Sequence, residues 1–184
     1  MSYCVDVEEA RLAVRAAFAT YQPIRLDDSP GVSSPGSRCL VSPNAFNDKK
    51  IIQFVTSHQY CNWLLFAYGQ KQDIELCKKI TGLLWARIEP TIGRAGKKKR
   101  NRLALLCWPA IMQAKERHLT GKKIFSVSEL CDILGIKENS GHWYRDYKPF
   151  WSAMAGCLDK WDSDSLADTY DFIMELDRFI QIEL

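Results

Sequence analysis

Apolar residues recur three or four positions apart along most of this chain, which is the period of an amphipathic α-helix. The first repeat comprises Ala10, Ala13, Val14, Ala17, Phe18 and Tyr21, and the second comprises Ile51, Val55, Tyr60, Trp63, Leu64, Ala67 and Tyr68. The run 122–125 could form a strand, but nothing else in the sequence looks like its partner. We therefore expect a mainly α fold, with several helices in a single domain.

Glycine and proline divide the first half of the chain into segments. An N-terminal helix is predicted over 1–21, where Asp6 and Glu9 resemble a capping box. Four prolines favour a linker or extended arm over 22–49. Further helices are expected over about 50–68, 74–88 and 102–119, and Pro109 should kink or split the last of them. The stretch GRAGKKKRN before it is predicted to form a basic loop.

The second half continues the helical domain, which is predicted to cover 50–184. VSELCDILGI predicts a short amphipathic helix with a left-handed exit at Gly135. A following helix should be interrupted at Pro149 and continue through Trp161, and a last helix should start near Leu166. Its apolar stripe comprises Tyr170, Ile173, Leu176, Ile180 and Leu184.

Charge is distributed unevenly, although the net charge is only +3. Residues 94–123 contain ten basic residues and one acid, whereas residues 159–184 contain eight acids and two basic residues. The basic middle favours contact with a polyanion, and the acidic end should repel one. The acidic helix could serve as a surface for a basic patch on another protein or for a second copy of the chain, or it could simply be a solvated face.

The stretch GIKENSGHWYRDYKPFW has the features of a helix-turn-helix, predicted over about 127–148. Trp143 and Tyr147 would face inward, which leaves polar and basic groups on the outer side for DNA. The DNA-binding candidates on this motif are Lys137, His142, Tyr144, Arg145 and Lys148. The candidates for phosphate contacts in the basic run are Lys97, Lys98, Lys99, Arg100 and Arg102. A pair of short core helices with solvated charges, where Arg145 merely pairs with a nearby acid, is the alternative interpretation.

Other classes of function have little support in the sequence. The seven cysteines are scattered and form no CxxC pair, so we expect reduced thiols, no zinc site and no cofactor. His58 and Cys61 could touch on one helix as a base and a nucleophile, but no third residue that would orient them is visible. An enzyme is therefore the least supported hypothesis. Neither a signal peptide nor a membrane span is expected, which predicts a cytosolic protein without a membrane partner.

Three segments resemble the bacteriophage late-gene antitermination protein Q family: NWLLFAYG, SELCDILGI and HWYRDYKPFWSAMAGCLDKWD. The resemblance covers roughly 50–162. It implies a protein that binds DNA at a late promoter, engages bacterial RNA polymerase at a promoter-proximal pause and permits readthrough of downstream terminators. It also implies that His142, Tyr144, Arg145 and Lys148 face DNA and that residues 97–102 contact phosphates. Some members carry cysteine pairs suited to zinc, which this chain lacks.

Two other functions agree with the same residues. A conventional helix-turn-helix repressor or activator would remain at its operator. An all-helical adaptor that binds only other proteins would explain the aromatic-rich helices without any contact to DNA.

Overall fold

The computed structural model describes residues 3–20, 45–57, 59–69, 74–136 and 141–182, and all regular structure in these ranges is helical. The predicted mainly α fold class is therefore confirmed. Most of the predicted linker lies outside the described residues, and a helix that starts at Ala45 occupies its end. The predicted domain boundaries and the helix-turn-helix assignment remain predictions.

The described part of the chain contains eight α-helices. They are α1 Tyr3–Thr20, α2 Ala45–Ser57, α3 Cys61–Tyr68, α4 Ile74–Ile88, α5 Lys97–Leu105, α6 Cys107–Thr120, α7 Val127–Leu134 and α8 Lys148–Ile182. A 3₁₀ turn, Glu89–Ile92, follows α4, and a π-helical turn, Trp143–Tyr147, precedes α8. None of the described helices is apolar enough over sufficient length to cross a membrane.

Contacts divide the chain into two compact units, residues 1–57 with 166–184, and residues 58–165. In the first unit, α1 packs against α2, and the buried residues include Ala10, Val14 and Ala17 of α1 and Val55 of α2. These α1 positions belong to the predicted helical repeat, in which Ala13 is only partly buried and Tyr21 lies outside the described residues. The rings of Phe54 and Phe172 stack with centroids 4.4 Å apart.

The second unit, residues 58–165, is built on α6. This helix packs against α3, α4 and α5, and α5 also packs against α7. The largest fully buried side chains of the unit include Trp63, Phe66, Leu103, Ile111, Trp143 and Met154. Burial of this apolar surface, at about 25 cal/mol per Å², is the main term that holds the helices together.

The predicted helix over 50–68 is two helices, α2 and α3. Near the end of α2, the hydroxyl groups of Thr56 and Ser57 donate hydrogen bonds to the carbonyls of Gln53 and Phe54. Such bonds compete with continuation of the backbone ladder. Gly69 ends α3, as expected, and its N–H donates to the carbonyl of Leu65 at 2.9 Å.

The predicted helix over 102–119 is split before Pro109, into α5 and α6. Pro109 is the third residue of α6, where a backbone N–H would have no partner within the helix, so the missing donor costs little. The prediction that KKKRN belongs to a loop is wrong, because α5 starts at Lys97. Lysine and arginine are good helix formers, and the carbonyl of Gly96 accepts the first backbone bonds, from Lys99 and Arg100.

The run Lys122–Phe125 is not a strand. Its backbone is paired by one side chain, Gln113 of α6, which accepts bonds from the N–H groups of Ile124 and Phe125 and donates to the carbonyl of Lys122. The amide of Gln113 therefore takes the place of a neighbouring strand.

The helix after the turn is continuous from Lys148 to Ile182, so the predicted break between Trp161 and Leu166 is wrong. The distortion expected at Pro149 lies just before it, where the N–H of Lys148 donates to the carbonyl of Trp143. This wider turn accommodates the ring of a proline, which would clash in a regular α-helix. Further along, Ser165 donates its hydroxyl to the carbonyl of Trp161 at 2.7 Å, so its side chain does not end the helix.

Candidate nucleic-acid interface

The helix α7 has a defined start and a defined end. Ser126 and Glu129 form a capping box, in which the Ser126 hydroxyl accepts from the Glu129 N–H and the Glu129 carboxylate accepts from the Ser126 N–H. These hydrogen bonds lower the pKa of Glu129. At the other end Gly135 has φ of 60°, and the N–H groups of Gly135 and Ile136 donate to the carbonyls of Asp132 and Cys131. This pair of bonds is a Schellman motif, which fixes the direction of the chain as it leaves α7.

The segment after this exit presents its polar side chains outward. Trp143 and Tyr147 are buried, as the sequence predicts. Tyr144 is 60% exposed, the side chain of Arg145 is 70% exposed, and His142 and Lys148 are also exposed. The predicted division into inner and outer residues is confirmed, whereas the DNA-binding role of the outer residues remains a prediction. Lys137 lies outside the described residues.

Asp146 organises the exposed side chains of this segment. Its carboxylate accepts hydrogen bonds from Arg145 at 2.9 Å and from Lys99 of α5 at 3.2 Å, and Nδ1 of His142 lies 3.3 Å away. The bond from the Arg145 guanidinium, followed by the bond from Lys99, holds the pKa of Asp146 far below its ordinary value. Asp146 is thus ionised at neutral pH and ties α5 to the π-helical turn.

Arg145 does pair with a nearby acid, as the alternative interpretation of this segment requires. The pair does not bury the guanidinium, because most of the Arg145 side chain remains exposed. Its bonds to Asp146 raise the pKa of Arg145, which keeps the cation charged. Lys148 lies over the ring of Tyr144, with Nζ 5.2 Å from the ring centroid.

Some basic side chains of α5 bond to other groups of the protein, and others are exposed to solvent. Arg100 bonds to the carboxylate of Glu89 at 3.0 Å and to the carbonyl of Gly93 at 3.0 Å. Arg102 donates to the carbonyl of Gly135 at 3.0 Å, which joins α5 to the exit of α7. Both arginines, predicted as phosphate contacts, therefore support the local structure, while Lys97 and Lys98 are exposed.

The first turn of α5 has an unusual charge. It contains three lysines and no acid, although the positive end of the helix dipole disfavours each nearby cation by about 0.3–1 kcal/mol. An anion bound at this position would reverse that penalty. Phosphate groups are such anions, and helix N-termini commonly bind them.

The contacts of Lys99 and Arg102 bring both sequence-predicted basic segments together. Asp146 connects them and is not among the residues predicted from the sequence, although it lies four positions after His142. No group of three or more metal-ligating side chains occurs within the described residues. His58 lies outside them, so its predicted lack of a catalytic role stays a prediction.

The sequence matches the model of a known protein family. The model of the phage antitermination protein Q family matches residues 18–176, which is most of the chain. No match was found among curated proteins or among solved structures.

Proposed function

The chain belongs to the phage antitermination protein Q family, and from this premise we propose how it acts as a phage antiterminator. The family is one of transcription antitermination factors rather than a class of enzymes, and such factors interact with nucleic acid and RNA polymerase in general. We propose that this protein binds double-stranded DNA at a late promoter and engages bacterial RNA polymerase there. It then permits readthrough of downstream terminators. Its place of action is the cytoplasm of the bacterial host.

One observation carries the proposal for DNA. Two basic segments that are about 45 positions apart in the sequence lie side by side, joined by Lys99 to Asp146 and by Arg102 to the carbonyl of Gly135. The exposed cations of these segments are Lys97, Lys98, Arg145 and Lys148, which we call the basic surface. Nonspecific DNA affinity comes chiefly from phosphate neutralisation, and base contacts add specificity.

The roles divide according to exposure. Lys97 and Lys98, at the N-terminus of α5, contact phosphates. Arg145 and Lys148 contact the backbone or base edges, since an arginine fork can pair with guanine in the major groove. Tyr144 is exposed beside them and adds apolar contact.

DNA binding is tested with the purified protein and fragments of the phage genome that carries its gene, in a gel-shift assay. We expect the double variant Arg145→Ala with Lys148→Ala to lose site-specific retention. The matched control, Lys78→Ala with Lys160→Ala, removes the same charge from two exposed lysines outside the basic surface, and it should bind like the wild type. Equal binding by both double variants would remove these two residues from the interface.

The phosphate contacts are tested by salt dependence. The slope of log affinity against log salt concentration should become shallower by about 0.9 for each phosphate contact that is lost, so Lys97→Ala with Lys98→Ala should reduce it by about 2. An unchanged slope would show that these lysines do not contact phosphates.

A further inference from the structure

The unit formed by residues 58–165 contains an apolar pocket of about 340 Å³ between α3, α4 and α8. Its lining includes Tyr60, Trp63, Ile80, Leu83, Arg87 and Trp161. The rings of Tyr60 and Trp161 stack at 5.9 Å between centroids and form one wall. Pockets that bind small molecules begin at about 300 Å³, so this pocket has room for a large side chain.

A buried carboxylate holds one residue of the pocket lining in place. Asp162 is 1% exposed, and its Oδ1 accepts hydrogen bonds from the indole N–H of Trp63 at 2.9 Å and from the hydroxyl of Tyr68 at 2.7 Å. Nδ1 of His118 lies 3.3 Å from Oδ2. These bonds fix the ring of Trp63, a core side chain that is 1% exposed, so this part of the lining is already ordered before a partner binds.

The composition of the lining is that of a protein-binding hot spot. Tryptophan, tyrosine and arginine are the residues in which hot spots are enriched, and such residues cluster in preformed pockets. Leu83 is 53% exposed at the rim, which is large for a leucine on a helix that also packs into the core.

The charge at the rim indicates the chemistry of the partner. Arg87 is the one charged residue among the described residues that line the pocket, and it is exposed. Lys79, also exposed, lies one helical turn before Leu83 on α4. A group that fills the pocket would therefore meet the cation of Arg87, and Lys79 adds positive charge on the same helix. This charge favours a carboxylate beside an apolar side chain.

We infer that this pocket, which we call the aromatic pocket, is the docking site for a protein segment that presents a large apolar side chain next to an acidic residue. Under the proposed function that segment belongs to bacterial RNA polymerase, so the inference rests on that proposal. The pocket uses α3, α4 and α8, whereas the basic surface uses α5 and the segment 142–148. DNA and polymerase are thus bound by different residues.

The test measures binding of purified bacterial RNA polymerase to the immobilised full-length protein by biolayer interferometry. Two variants alter the pocket. Leu83→Asp places a charge at its apolar rim, and Arg87→Glu reverses the charge of its one cation among the described lining residues. We expect each to weaken polymerase binding about tenfold or more, as for a hot-spot residue. Affinity for DNA should be unchanged in both.

The matched control is Ile74→Asp. Ile74 is on the same helix, is 71% exposed and does not line this pocket, so this variant should bind polymerase like the wild type. Melting followed by circular dichroism establishes that all three variants are folded.

Each other result overturns the inference. If wild-type protein binds polymerase and both pocket variants bind equally well, the pocket is not the docking site, and the proposed function stands. If wild-type protein does not bind polymerase, the proposed polymerase engagement fails together with the inference. If the pocket variants instead lose affinity for DNA, the occupant of the pocket is DNA. If they change only the oligomeric mass measured by light scattering, the occupant is a second copy of the chain.

Discussion

Replacing Asp162 by leucine should destabilise the protein severely. The substitution keeps a side chain of similar size but leaves the indole N–H of Trp63 and the hydroxyl of Tyr68 without their carboxylate acceptor. It also removes the carboxylate that lies 3.3 Å from Nδ1 of His118. A buried donor without a partner costs about 1–3 kcal/mol, so the two donors together cost about 2–6 kcal/mol. We expect the free energy of unfolding to fall by about 3–5 kcal/mol, a large part of the about 5–15 kcal/mol typical of a domain.

The assay is urea denaturation at neutral pH, followed by circular dichroism of the helices. Asp162→Asn keeps an acceptor oxygen for Trp63 and Tyr68, so its loss should be smaller, about 1–2 kcal/mol. Asp164→Leu is the matched control, because Asp164 is two residues away on α8 and pairs only with the exposed Lys160 among the contacts seen in the structure. That variant should change stability by about 0.5 kcal/mol or less. A loss below about 1 kcal/mol for Asp162→Leu would show that this carboxylate does not satisfy the buried donors.

Three further predictions concern local contacts. Burial raises the pKa of Asp159, but the contacts with His118 and Arg117 have a larger effect and leave the pKa below its ordinary value. The stability that this ionised carboxylate contributes is present above its unfolded pKa. That stability is lost as pH falls through the folded pKa. Asp159→Asn should therefore flatten stability against pH on the acid side in urea titrations, and an unchanged profile would contradict it. Ser126→Ala removes the cap of α7 and should lower the free energy of unfolding by about 1 kcal/mol in the same assay; no loss would mean that the capping box is not formed. Gln113→Ala should speed hydrogen exchange of the amides in the segment after α6, and equal rates would show that another group protects them.

Local signals made part of the fold predictable. The capping box and the glycine exit of α7 are short-range patterns, so both ends of this helix follow from neighbouring residues. The inward position of Trp143 and Tyr147 follows from their spacing of four. In these elements the side chains that decide the structure are next to the backbone that they control.

Longer-range contacts made the rest unpredictable. The continuity of α8 through Asp162 depends on Trp63 and Tyr68, which are 99 and 94 positions away and satisfy a side chain that would otherwise favour a turn. The link between Lys99 and Asp146 spans 47 positions. For the same reason the candidate basic residues could be named from the sequence, but the internal roles of Arg100 and Arg102 could not.

Chromatin immunoprecipitation across the genome tests the central proposal most directly. The tagged protein is expressed from its native locus in the bacterial host, and its occupancy is mapped during late transcription. An antiterminator that binds at a promoter and then travels with RNA polymerase should give a peak at one promoter with signal that trails through the downstream transcription unit. Sharp peaks without a trailing signal would contradict the proposal and indicate a repressor or activator that stays at its operator. No enrichment would exclude DNA binding as its mode of action.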